Sequence, residues 1–152
     1  MREKKTKAQY LYDQYIQNSN VDIVYYNNIP HIVVCFTRGG VCKSTDVFIN
    51  NENINSIVII SPYAVGEVVV GRKHNDCIFC RLYDVKAFEK RQGYGTALMN
   101  VLYSFCSSLN KNMKISWDST KEGCYLYDSL SFVQKIEAKC GPFCYGVYEM
   151  NC

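Results

Sequence analysis

Apolar residues recur at helical spacing in three parts of the chain. Residues 3–18 predict a first helix, whose apolar face is formed by Ala8, Leu11, Tyr12, Tyr15 and Ile16. Residues 95–109 predict a second helix, whose apolar stripe is formed by Leu98, Val101, Leu102, Phe105 and Leu109. Residues 121–130 predict a third helix, with Ser119 or Thr120 available as its N-cap.

Short runs rich in β-branched and aromatic residues fill most of the remaining chain. They predict strands at 21–26, 31–37, 46–49, 57–60, 67–70, 77–85, 113–117, 133–138 and 143–150. The first two runs flank Asn27-Asn28-Ile29-Pro30, which predicts a hairpin turn, and residues 71–76 predict a second turn. Strand–helix–strand segments beside hairpins predict an α/β fold, with one mixed α+β sheet flanked by helices and an N-terminal part rich in strands.

Length and charge narrow the class of protein. The 152 residues contain no repeat, low-complexity tract or linker, so we expect one domain over 1–152. The net charge of +3 is too small to indicate nucleic-acid binding, and we expect none. No apolar run approaches the roughly 18 residues of a membrane span. The basic N-terminus lacks the apolar segment of a secretory signal, so we expect a cytoplasmic protein that binds no membrane.

Nine cysteines are the unusual feature of the composition. An odd number without a signal peptide argues against a disulfide framework, so we expect free, buried thiols. Cys77 and Cys80, with His74 upstream and Cys140 and Cys144 downstream, leave a zinc site open as an alternative. The run from Cys77 to Cys80 has the composition of a strand, in which residues three apart face opposite sides. We therefore expect no metal site.

The segment from Leu82 to Met99 carries the most specific chemical signal. A strand leads into a polar stretch, a Gly-x-Gly turn and an amphipathic helix. The two glycines let a ligand approach the backbone closely, and the amides of 92–96 precede a helix whose dipole favours an anion. Lys90 and Arg91 add positive charge. The segment therefore predicts a site for a phosphate or diphosphate.

Two common nucleotide-binding motifs do not fit this segment. The dinucleotide fingerprint requires a third glycine where Leu98 stands. The Gly-Lys-Ser/Thr of a Walker-type loop is absent. A turn that only joins a strand to a helix remains an alternative reading of the two glycines.

The residues Lys90-Arg91-Gln92-Gly93-Tyr94-Gly95 resemble the central motif of the GNAT superfamily, Arg/Gln-x-x-Gly-x-Gly/Ala, with Lys90 as a conservative departure. A second family helix, written roughly Asn-x-x-Ala-x-x-x-Tyr-Glu-Lys-Leu-Gly-Phe, is similar to residues 120–132. The residues in register are Tyr127, Leu130 and Phe132, and the departures are Thr120, Gly123 and Ser131. Residues 145–150 also resemble the last strand of the family. The resemblance covers 65–150 well and is poor before residue 62.

The resemblance implies an N-acetyltransferase, with acetyl-CoA as co-substrate and a primary amine as acceptor, reacting by direct attack in a ternary complex. It implies cofactor contacts from Asp84, Val85, Lys90, Arg91, Gln92, Gly93, Tyr94, Gly95, Thr96 and Thr120. It also implies that Tyr127 protonates the departing thiolate and that backbone near Val85 holds the acetyl carbonyl. The acceptor, a small molecule or a protein, is not specified by the sequence.

The general base is the least defined part of this prediction. Many members of the family use a glutamate on a central strand, for which Glu67 is the candidate here, with Asp84 and His74 left open. Cys124, near the predicted thiol exit, is expected to pack in the core. Because the base and the family's Asn are missing, a catalytically silent CoA-binding interaction module remains the alternative function.

Overall fold

The computed structural model describes residues 7–18, 20–43, 54–87, 92–109, 112–139 and 141–152. The predicted strand at 46–49 and the predicted site residues Lys90 and Arg91 lie outside these ranges. The described helices are α1 (Lys7–Tyr15), α2 (Tyr94–Ser108) and α3 (Lys121–Asp128). The described strands are β1 (Asp22–Tyr26), β2 (Ile29–Thr37), β3 (Gly40–Cys42), β4 (Ile54–Ile60), β5 (Ala64–His74), β6 (Cys77–Ala87), β7 (Asn112–Ser119), β8 (Gln134–Glu137) and β9 (Gly146–Asn151).

These strands form one mixed sheet in the order β1-β2-β4-β5-β6-β7-β9-β8, with β3 also paired to β2. Every described pair is antiparallel except β6 and β7, which are parallel and are connected through α2. A parallel pair needs a crossover connection, and the helix supplies it. The prediction of a mixed sheet flanked by helices is therefore confirmed.

The two faces of the sheet have separate apolar cores. The larger core packs α2 and α3 against the sheet, with Leu98, Leu102, Ile115, Trp117 and Met150 all nearly inaccessible to solvent. The smaller core packs α1 against the opposite face of β2 and β4. We call the face that carries α2 and α3 the helix face, and the opposite one the outer face. Strand residues alternate between these two faces.

Two details of the strands differ from the sequence prediction. The turn predicted at 71–76 is wrong in extent, because β5 continues to His74 and only Asn75 and Asp76 form the turn, both at positive φ. Strand β3 was not predicted, because its three residues carry no periodic signal of their own and it forms by pairing with β2.

Seven cysteines are free thiols in the described residues, and Cys35, Cys80 and Cys106 are buried. Cys144 is disulfide-bonded, contrary to the expectation of free thiols. Among the ranges described above, no group of three or more His, Cys, Asp or Glu side chains is placed to hold a metal ion. No helix in the same ranges is long and apolar enough to cross a membrane.

Candidate active site

The parallel strands β6 and β7 pair over only part of their length. Their register begins at Cys77 and Asn112 and ends at Arg81 and Ser116. Beyond that point β6 continues to Ala87 beside β5, while β7 continues beside β9. The two strands therefore diverge and leave an opening in the centre of the described sheet.

A β-bulge lies at the start of this opening. On β5 the register passes from Glu67, opposite Asp84, directly to Val68, opposite Leu82, so Tyr83 is the extra residue on β6. A bulge bends its strand and leaves the extra residue outside the regular ladder. Backbone groups on the β7-facing edge of residues 82–87 are not paired with a strand among the described residues, so they can bind a ligand in the opening.

The start of α2 stands beside the opening. Gly93 precedes the helix at φ 81° and ψ 5°, in the left-handed region that glycine adopts readily. The first helical hydrogen bond runs from Ala97 N to Gly93 O, so the amides of 94–96 precede it. Gly93 offers no side-chain cap, and the first turn carries no acidic residue. This arrangement suits an anionic ligand.

The third helix forms the other wall. Thr120 caps α3 by accepting a hydrogen bond from Gly123 N at 3.2 Å. A Cβ at Gly123 would lie 2.5 Å from Ser119 Oγ and 3.2 Å from Tyr127 Cε2. The alanine of the family motif therefore does not fit here without movement of one of these side chains. Gly123 lets α3 lie close to β7 and to the ring of Tyr127.

Tyr127 belongs to an aromatic cluster with Trp117 and Tyr148. Its ring centroid is 5.1 Å from that of Trp117 and 5.2 Å from that of Tyr148. The hydroxyl of Tyr148 donates a 2.8 Å hydrogen bond to Asp128, the last residue of α3. Burial, assisted by its hydrogen bonds, raises the pKa of Tyr148, so this phenol stays protonated at neutral pH. The cluster fixes Tyr127 at the wall of the opening.

The opening is a cavity of about 690 Å³. Its walls come from β6, the start of α2, the end of β7 and α3, and its lining residues include Leu82, Tyr83, Val85, Lys86, Gly93, Tyr94, Gly95, Thr96, Trp117, Asp118, Ser119, Thr120, Glu122, Tyr125 and Tyr127. Trp117 and Ser119 are buried on the helix face, whereas Tyr83 and Asp118 are exposed on the outer face. The cavity is thus lined from both faces of the sheet.

The structure brings most of the predicted site residues together at this cavity. Those that line it are Val85, Gly93, Tyr94, Gly95, Thr96, Thr120 and Tyr127. Gln92 is exposed directly before Gly93. Asp84 lies on β6 opposite Glu67, and its side chain is not described. Lys90 and Arg91 lie outside the described residues.

The candidates for the general base are not at the cavity wall. Glu67 is exposed on the outer face of β5 and does not line the cavity. His74, expected in a turn, ends β5, where its Nε2 is 3.2 Å from Asn75. The thiol of Cys124 contacts the carbonyl oxygens of Thr120 and Tyr145, both at 3.3 Å, and does not line the cavity.

Sequence reasoning missed several residues of the wall. Trp117 and Asp118 follow each other on β7 and therefore face opposite sides of the sheet. Nε1 of Trp117 is buried and has no hydrogen-bond partner among the described residues. Buried polar groups are normally paired, so this donor is available to a ligand. The alternation of 113–117 was visible in the sequence, but its position beside an opening was not.

The fold is GNAT-like in the features described above: a mixed sheet flanked by helices, whose two parallel central strands diverge beside the start of a helix. No protein-family model and no curated protein sequence matches the chain.

Two solved structures are similar to the chain. One is the ribosomal-protein-S18-alanine N-acetyltransferase from Escherichia coli, with 13% identity, a TM-score of 0.39, and 97% of this chain and 90% of that chain covered. The other is Arabidopsis thaliana NAA60 in complex with a bisubstrate analogue, with 10% identity, a TM-score of 0.37, and coverages of 95% and 88%. At these TM-scores the similarities carry no argument about activity, which must come from the site.

Proposed function

We propose that the chain is an acetyl-CoA-dependent N-acetyltransferase of the GNAT type, which transfers an acetyl group to a primary amine within a ternary complex. The observation that carries the proposal is the opening between β6 and β7, with the uncapped start of α2 at its edge and Tyr127 in its wall. A long, narrow co-substrate with a diphosphate in its middle fits this combination of an anion site and a slot between strands.

The chain offers a different group for each part of acetyl-CoA. The amides of 94–96 bind the diphosphate at the positive end of the α2 dipole. The free edge of β6 at Val85 hydrogen-bonds the pantetheine arm as a further strand would. The buried Nε1 of Trp117 supplies one more donor toward the cavity. Lys90 and Arg91 add charge near the diphosphate.

The transfer step then follows from the positions of the groups. The neutral amine nitrogen attacks the thioester carbonyl carbon, and the developing oxyanion accepts hydrogen bonds from backbone amides of β6 near the bulge. The carbon–sulfur bond breaks, the acetyl group remains on nitrogen, and Tyr127 donates its proton to the departing thiolate. The nitrogen loses a proton to solvent, with Glu67 on the outer face as the candidate acceptor.

Binding and transfer are tested separately. Trp117 is the one tryptophan of the chain and lines the cavity, so its fluorescence should change on titration with CoA. Gly93→Glu places a carboxylate at the anion site and should abolish this change and the acetyl transfer to a panel of amines. Gly40→Glu is the matched control, because Gly40 also has positive φ, at 112°, in a hairpin away from the cavity. Unchanged CoA binding in Gly93→Glu would contradict the proposal.

The alternative is a CoA-binding interaction module without activity. It is favoured by one observation, namely that no carboxylate of the described β5 and β6 side chains lines the cavity. It predicts CoA binding in the wild type, no acetyl transfer to any amine and no effect of Tyr127→Phe on any measured property except stability. Accumulation of free CoA that depends on the amine would exclude it.

A further inference from the structure

Asp118 is the acidic residue at the outer side of the cavity. It lies on β7 two residues beyond the last position paired with β6, where the strands diverge. Its neighbours in sequence, Trp117 and Ser119, are buried on the helix face, so Asp118 faces the outer side. It nevertheless lines the cavity. Its carboxylate therefore stands at the mouth opposite the start of α2.

An ion pair holds this carboxylate in place. Nη2 of Arg81 donates a 3.3 Å hydrogen bond to Oδ2 of Asp118, and the two side chains are 50% and 52% exposed. The guanidinium of Arg81 also lies 6.0 Å from the ring centroid of Tyr83. Arg81 is thus held from two sides, while half of the Asp118 side chain faces solvent. An ion pair this exposed contributes little to stability, so both residues tolerate substitution.

Resting on the proposed function, we propose that Asp118 binds the amine of the acceptor, which enters from the outer face. The diphosphate site at α2 and the carboxylate at Asp118 give the two mouths opposite preferences, one for an anion and one for a cation. A primary amine is cationic at neutral pH and hydrogen-bonds a carboxylate in that form. Asp118 is assigned a binding role only, with no proton transfer.

The experiment compares three variants with the wild type. Asp118→Asn removes the charge and keeps the shape, Arg81→Gln removes the cation beside it, and Glu149→Gln is the matched control. Glu149 lies on β9 on the same outer face, pairs with Lys114 at 3.8 Å and does not line the cavity. Each protein is saturated with CoA and titrated with n-butylamine, followed by Trp117 fluorescence. The neutral n-butanol serves as the ligand control.

We expect Asp118→Asn to weaken butylamine binding about tenfold or more, because a charged hydrogen bond is lost. Arg81→Gln should leave the affinity unchanged or strengthen it, since the competing cation is removed. Glu149→Gln should change it less than about twofold, and butanol should not distinguish the proteins. In acetyl-transfer assays the same pattern should appear in KM for the amine, with KM for acetyl-CoA unchanged.

The two single variants of the ion pair separate binding from structure. If the pair only braces the strands, Asp118→Asn and Arg81→Gln will weaken amine binding equally, which would overturn the inference. Equal affinities of Asp118→Asn and the wild type would also overturn it. A wild type that binds CoA and butylamine but transfers no acetyl group would contradict the proposed activity and leave the role of Asp118 decided by the titration.

Discussion

Among the single residues, Tyr127 combines packing with chemistry. Its side chain is only 8% exposed and packs edge-on against Trp117, yet it lines the cavity. Tyr127→Phe keeps the ring and removes the proton donor. We expect kcat to fall roughly 100-fold, the usual contribution of a general acid, with KM for acetyl-CoA nearly unchanged. Steady-state kinetics with detection of free CoA measures both constants.

A second tyrosine provides the control for this variant. Tyr103 lies on α2, stacks on Phe132 with ring centroids 4.5 Å apart and does not line the cavity. Tyr103→Phe should leave kcat within about twofold of the wild type. Equal losses of kcat in both variants would show that Tyr127 contributes through packing and not through its proton.

The cysteines differ in reactivity because their environments shift their pKa values in opposite directions. Burial raises the pKa of Cys35 and that of Cys80 to about 12, whereas a hydrogen bond with Cys106 lowers the pKa of Cys152. Since the thiolate is the nucleophile, iodoacetamide at about pH 8 should alkylate Cys152 well before Cys35 or Cys80. Peptide mass spectrometry on the native protein measures the order, and the difference should vanish after denaturation.

At the scale of the elements, α3 depends on the close approach that Gly123 allows. Alanine is the better helix former by about 1 kcal/mol, so propensity alone predicts that Gly123→Ala stabilises the protein. The contact of 2.5 Å with Ser119 Oγ predicts the opposite. We expect Gly123→Ala to lower the free energy of unfolding by about 1–3 kcal/mol, as overpacking does, and to reduce kcat by displacing Tyr127.

The double variant Ser119→Ala with Gly123→Ala tests the cause. Removing Ser119 Oγ removes the shortest contact, so the double variant should be more stable than the sum of the two single changes predicts. Urea unfolding of the four proteins gives the coupling energy. Strict additivity would mean that the helix accommodates a methyl group at 123 and that another contact limits its position.

The sequence predicts elements well where the signal is local. The stripe of Leu98, Leu102 and Phe105 and the loop at Gly93 depend on neighbours in sequence, and the structure places them as predicted. The bulge at Tyr83 depends on the register of β5 against β6, and the wall residue Asp118 on the divergence of β6 and β7. Such features arise from pairing between distant segments, which periodicity along one chain does not encode.

Across the whole molecule, Glu67 illustrates why the site was only partly predictable. Its residue type and its place on a central strand suited a general base, but its position relative to the cavity depends on the bulge that sets Asp84 opposite it. The cofactor side of the cavity comes from one continuous motif and was predicted. The acceptor side comes from β6 and β7 together, with residues of ordinary type, and was not.

The larger core also makes the stability of the whole chain sensitive to alkaline pH. Cys35 and Cys80 belong to that core, and burial holds both thiols protonated to about pH 12 in the folded state. The unfolded chain releases these protons above about pH 9, so it then binds fewer protons than the folded chain. The free energy of unfolding should therefore be constant below that pH and fall above it, by roughly 1.4 kcal/mol per pH unit for each thiol.

Urea unfolding in a reducing buffer between about pH 8 and 10.5 measures this fall, with two thiols contributing roughly 4 kcal/mol by the end of the range. Cys35→Val replaces one thiol by an apolar side chain of similar size and should reduce the slope by the share of one group, whatever it does to the stability at pH 8. Because the slope reports protons and not contacts, a variant that is less stable at every pH but has the wild-type slope would show that Cys35 is not held as a thiol by its burial.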